Sequence, residues 1–86
     1  MSHVILDGAT PQAIATVRGP APHSIAVSPG PGCTVSCEVS LGGNRWYPWD
    51  AGPVTEPTIR VVNGPIRQVR FTRTAGTDAT SVGEIF

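Results

Sequence analysis

Residues 33–41, Cys33-Thr34-Val35-Ser36-Cys37-Glu38-Val39-Ser40-Leu41, alternate between apolar and polar side chains without a break. An extended chain sends successive side chains to opposite faces, so this stretch reads as a strand with one face buried and the other wet. Leu41-Gly42-Gly43-Asn44 is a strong turn signal, and the chain should fold back there and return as a second arm over residues 45–49. Working outward, residues 12–18 are rich in β-branched residues and small alanines, and Ile25 and Val27 share one face of residues 24–28. Residues 58–63 and 66–74 read as two further strands, adjacent and joined by Asn63-Gly64-Pro65. Residues 81–86 close the chain and residues 3–6 open it. Ten glycines and nine prolines at intervals of a strand length leave helices almost no room. The expected fold is all-β: one domain over residues 1–86, a small antiparallel β-sandwich or jelly-roll-like barrel of seven to eight short strands.

A chain of 86 residues buries only roughly 60 to 65 per cent of its unfolded surface, so its core is thin. Disulfides, metals or association usually supplement such a core. The two cysteines, Cys33 and Cys37, lie four residues apart. On a strand their Cα atoms would be about 13 Å apart, well past the roughly 7 Å limit for a disulfide. They are expected to be small buried apolar residues in a reducing compartment. All six basic residues are arginine, and six acids balance them to a formal charge of zero. Such a domain draws no nucleic acid from a distance, and it is poorly protected against self-association. An arginine-preferring genome is the competing account of the missing lysine. The opening Met-Ser-His-Val-Ile-Leu-Asp-Gly-Ala-Thr-Pro-Gln has no basic leader and only a three-residue apolar run, so neither a secreted precursor nor a membrane partner is expected.

Arg45-Trp46-Tyr47-Pro48-Trp49 holds three of the five aromatic residues. Alternation sends Arg45, Tyr47 and Trp49 to one face of this arm and Trp46 with Pro48 to the other. Pro48 donates no hydrogen bond, so the arm should be a sheet edge or end there. One indole can plug the thin core, and the other cannot easily share it. Three readings stand: covers over the two ends of the sandwich, contacts with a partner subunit, where Trp, Tyr and Arg are favoured, or a platform for stacking sugars. Arg60, Arg67, Arg70 and Arg73 raise a parallel question on residues 58–63 and 66–74. They read either as a solvated sheet face paired across strands to Glu38, Glu56 or Glu84, or as a docking surface for acidic groups of another protein. Ile85 and Phe86 end the chain on apolar side chains, so the last strand pairs inside the sheet or adds to a neighbour's edge.

Other chemistry finds little support. His3, His23, Cys33 and Cys37 are soft metal ligands, yet thiolates spread along an extended strand do not converge on one tetrahedral ion. Asp7, Glu38, Asp50, Glu56, Asp78 and Glu84 are scattered singly, without the pairing that acid–base catalysis uses. No glycine-rich loop precedes a helix to cradle phosphate. No catalytic residue, metal or cofactor is therefore expected, and the chain does not read as an enzyme. The candidate partner-contacting residues are Arg45, Trp46, Tyr47, Trp49, Arg60, Arg67, Arg70, Arg73 and Phe86.

The unit Ser-Leu-Gly-Gly-Asn-Arg-Trp-Tyr-Pro-Trp-Asp-Ala-Gly-Pro-Val-Thr over residues 40–55, followed by strands ending Val-Arg-Phe-Thr-Arg-Thr-Ala-Gly at residue 76, resembles the small all-β virion accessory proteins of tailed bacteriophages. These include capsid decoration, or cement, proteins. The resemblance covers residues 33–78 and rests on a glycine hairpin, a W-x-x-W arm and an R-F-T strand. It implies a compact and often trimeric β-domain that sits over joints between capsomers and staples them. Its partners would be the major capsid protein, other virion proteins and further copies of the chain, with no nucleic acid and no membrane. Its place would be the virion, assembled in the host cytoplasm. The alternative expectation is a carbohydrate-binding or adhesion module of immunoglobulin-like shape, with Trp46, Tyr47 and Trp49 as the stacking strip.

Overall fold

The computed structural model describes residues 2–76 and 79–86. Among them are eight strands and no helix: β1 (Ser2–Leu6), β2 (Gln12–Thr16), β3 (His23–Ser28), β4 (Thr34–Ser40), β5 (Tyr47–Pro48), β6 (Thr58–Val62), β7 (Gln68–Ala75) and β8 (Ser81–Ile85). They form two four-stranded sheets, a front sheet in the order β1-β8-β3-β6 and a back sheet in the order β2-β7-β4-β5. All pairings are antiparallel, and they follow one rule. β1 pairs with β8, β2 with β7, β3 with β6 and β4 with β5. The chain is thus a single long hairpin ribbon whose tip is the turn at residues 41–46. Winding that ribbon brings β8 against β3 and β7 against β4, which gives the two-sheet jelly-roll topology.

The alternation read from residues 33–41 places β4 as expected. Cys33, Val35 and Cys37 are buried, whereas Thr34, Ser36 and Glu38 face outward and are half-buried. β7 faces β4 in the same sense, with Val69 and Phe71 inward. Leu6, Ile25, Val27 and Ile85 supply the front half of the core, and Ala15, Val35, Cys37, Val69 and Phe71 the back half. Both cysteines are buried and do not bridge each other. The last strand lies inside its sheet, with β1 on one side and β3 on the other.

Two expectations about strand placement are corrected. Residues 58–63 and 66–74 are not neighbours: β6 is the outer edge of the front sheet, and β7 is an interior strand of the back sheet. The link between them crosses the sandwich. Pro65 lacks an N–H, the amide of Ile66 donates to the Gly64 carbonyl at 2.9 Å, and the Ile66 side chain is buried at the crossing. The return arm over residues 45–49 is also shorter than expected. Only Tyr47 and Pro48 pair with β4, opposite Val39 and Glu38, and Pro48 takes a position where the residue's nitrogen faces the open edge, so its missing N–H costs the ladder nothing.

At the centre of the sandwich a ring meets bare backbone across the two sheets. β8 runs through the front sheet and β7 through the back, and the Phe71 ring fills the space above Gly83. A methyl group added at residue 83 would sit 2.6 Å from Cδ1 of Phe71. Neither backbone nor a buried ring at 0% exposure has room to yield. Gly83→Ala is therefore expected to cost about 2–3 kcal/mol or more through overpacking. Gly64→Ala, where the added atom meets nothing within 4 Å, should stay within about 0.5 kcal/mol. Urea unfolding of the two variants checks the contrast.

Candidate functional site

The ribbon tip is built from left-handed residues. Gly42, Gly43 and Asn44 have φ of 109°, 70° and 60°, a run that glycine and asparagine tolerate best. The Ser40 hydroxyl accepts from the Gly42 amide at 3.0 Å and tightens the turn. The chain then returns over the outer face of the back sheet, where Glu38 lies between Pro48 on one side and Arg70 on the other. Arg70 donates from Nε and Nη2 to the same Glu38 oxygen, at 3.0 and 2.7 Å. Its guanidinium lies 4.4 Å from the centre of the Trp46 ring. Trp46 is consequently half-buried on an arginine rather than bare.

Trp49 lies on the other side of the same edge. Its amide donates to the Cys37 carbonyl at 3.0 Å, and its indole is only 3% exposed. Expected as an anchor for a partner, Trp49 is instead part of the core. The indole Nε1 is buried without a hydrogen-bond partner, a cost of about 1–3 kcal/mol. Trp49 also lines an open cleft of about 300 Å³ between β5 and β6, together with Val39, Pro48, Val61 and Val62. The strip expected from Trp46, Tyr47 and Trp49 is not assembled, since only Tyr47 is well exposed, at 46%.

The arginines are dispersed for the reason that separates β6 from β7. Arg60, on the free edge of the front sheet, bends back so that Nη1 donates to the Ile59 carbonyl at 3.1 Å. Arg67 is exposed just before β7, with its stem beside Gly42. Arg73 is half-buried opposite Val35 and donates to the Gly76 carbonyl at 3.2 Å. Arg45 is exposed at the tip. The arginines therefore form no single docking face, and Arg70 takes the cross-strand partner Glu38. Asp78 lies outside the described residues.

What the sequence reading missed is the outer face of the front sheet. Ile5, Ile59, Val61 and Phe86 are exposed at 53%, 56%, 59% and 52%. Register places them on one surface with Val82 and Ala26, since Ile5 lies opposite Val82, Ile59 opposite Ala26 and Val61 opposite Ser24. At roughly 100 Å² for each half-exposed large side chain, the patch amounts to about 400 Å², a size that marks interaction surfaces on single-chain proteins. Among the described residues, its only ionisable groups within the strands are His3 and Glu84, which are register partners. A signal was present: Val4-Ile5-Leu6 and Ile59-Arg60-Val61-Val62 are apolar on both parities, the pattern of strands covered on two sides.

The remaining titratable groups stay apart. His3 is exposed on the outer face, whereas His23 is buried on the inner face, and among the described residues no three His, Cys, Asp or Glu side chains converge. Burial pushes the Cys37 thiol from 9.0 up to about 12, with the Glu38 carboxylate adding to the rise. It is a neutral core group at physiological pH, not a nucleophile. Comparison with protein-family models, curated proteins and solved structures finds no match to this chain.

Two measurements follow. A double-mutant cycle of Trp46→Ala and Arg70→Ala should return a coupling of about 0.5–1 kcal/mol, with the solvent-screened ion pair to Glu38 worth about as much again. Because the folded Cys37 pKa is raised, its contribution is complete below pH 9.0 and is lost as pH climbs toward about 12. The loss is of order 1 kcal/mol per pH unit in that window. Cys37→Ala, compared with the parent by urea unfolding at pH 8 and at pH 10.5, should flatten this alkaline decline.

Proposed function

We propose that this chain is a structural accessory of a virion, most specifically a capsid decoration protein, that acts by protein–protein contact rather than by chemistry. The observation that carries the reading is the apolar outer face of the front sheet. A folded unit this small leaves Ile5, Ile59, Val61 and Phe86 uncovered although thirteen of its described apolar residues are already buried in the core. Surfaces of that kind are covered by another macromolecule in use. The jelly-roll winding adds support by analogy of fold alone, since viral capsid domains use it, as do lectins and cupins. A carbohydrate module has less behind it, because Trp49 is sealed in the core and Trp46 already rests on Arg70.

In this reading the exposed groups at the ribbon tip, Arg45 and Tyr47 with Arg67 nearby, contact the capsid lattice as an aromatic and guanidinium cluster. The reading is tested on virions assembled from the genome that encodes the chain. After banding in a density gradient, the chain should co-migrate with the particles in many copies per particle, and Tyr47→Ala with Arg45→Ala should reduce its occupancy about tenfold or more. A chain found only at the top of the gradient, with particles full and stable without it, would overturn the proposal.

A further inference from the structure

We infer that the outer face of the front sheet binds the same face of a second copy, so that two sandwiches stack about a twofold axis. The inference deepens the protein-contact reading above and owes nothing to the virion part of it. Three observations select a second copy as the occupant.

The first is charge. Among the described residues, the face carries only His3 and Glu84 as ionisable side chains across its four strands, and these are register partners on the same row. A strongly acidic or basic partner would find nothing to pair with. The surface that matches an almost uncharged apolar sheet is another one, and the chain supplies it in every copy. Six arginines against six acids also leave two copies with no net repulsion to overcome.

The second is area. A face of four strands of about five residues spans about 20 by 17 Å, and with its rim it would bury about 600 Å² per copy on stacking, near the lower limit of specific interfaces. That is sufficient for a dimer with a dissociation constant in the micromolar range.

The third is the state of the edge. Ser24 exchanges both of its backbone hydrogen bonds with Phe86, so its partner across β3 and β6, Val61, turns its own N–H and C=O toward the free edge. Ile59 is two residues away and turns the same way, and its carbonyl is already taken by Arg60. An edge-to-edge pair centred on Arg60 would also set two guanidinium groups opposite each other. Arg60 partly guards the β6 edge, whereas nothing among the described residues covers the face, so copies meet face to face.

Sedimentation velocity of the full chain from about 1 to about 200 µM tests this. The expected result is a rise from the 9.0 kDa single chain to twice that mass. Ile59→Glu and Val61→Glu should each weaken the dimer at least tenfold, whereas Ile14→Glu, on the outer face of the back sheet at 51% exposure, should leave it unchanged. If Ile59→Glu loses its far-ultraviolet β-signature, Phe86→Ser, beyond the end of β8, carries the same comparison. A parent chain that stays at single-chain mass throughout would overturn the inference. So would a trimer, or a dimer that the front-face variants leave intact or that Ile14→Glu breaks equally. None of these outcomes bears on whether the chain bands with virions, so the two readings fail separately.

Discussion

Phe71 lying against the bare α-carbon of Gly83 sets the spacing of this molecule. The two residues belong to interior strands of opposite sheets, so their contact is at the centre of the sandwich. Sheets faced with side chains stack about 10 Å apart, and here the phenyl ring takes the space that a side chain at residue 83 would need. From this point parity propagates in both directions. Val69 and Ala15 line the core because they share a face with Phe71 and its partner Ala13, and Ile85 and Ser81 because they share a face with Gly83. Gln68, Arg70 and Thr72 are sent outward by the same count.

The ribbon winding then decides which outward residues meet. Every connection except the tip turn passes from one sheet to the other, so strands adjacent in sequence, such as β6 and β7, end on opposite sides of the core. This is why Arg60 and Arg70 share no surface. It is also why Trp46 and Trp49, three residues apart, have unlike fates: one lies over the outside of the back sheet, and the other is enclosed where the sheet edges approach.

The result is a molecule with two unlike faces. The back face is mainly polar, with Gln12, Gln68, Thr72 and Ser36 around the Glu38–Arg70–Trp46 stack and Ile14 exposed opposite Arg70. Its charges are satisfied within the chain. The front face is apolar and nearly uncharged, and none of the described elements covers it. A thin core forces this asymmetry in part, because β1 and β6 are apolar on both parities and only one of those parities can face inward.

Much of the fold was legible in the sequence. The uninterrupted alternation of residues 33–41, the glycine turn after it and the spacing of glycine and proline determined an all-β chain of about eight strands, since a period of two and the φ limits of these residues are local properties. The shape of the candidate site was less legible. That Arg45, Trp46 and Tyr47 follow one turn could be read from spacing, but the approach of Arg67 to that turn could not. The two-sided apolar pattern of β1 and β6 did not say that their outer residues share one face, because they come from distant parts of the chain. Which strand pairs with which, which indole is sealed and which arginine finds Glu38 depend on the winding of the whole ribbon. That winding is set by packing between residues far apart in sequence, such as Phe71 on Gly83, and local pattern carries no record of it.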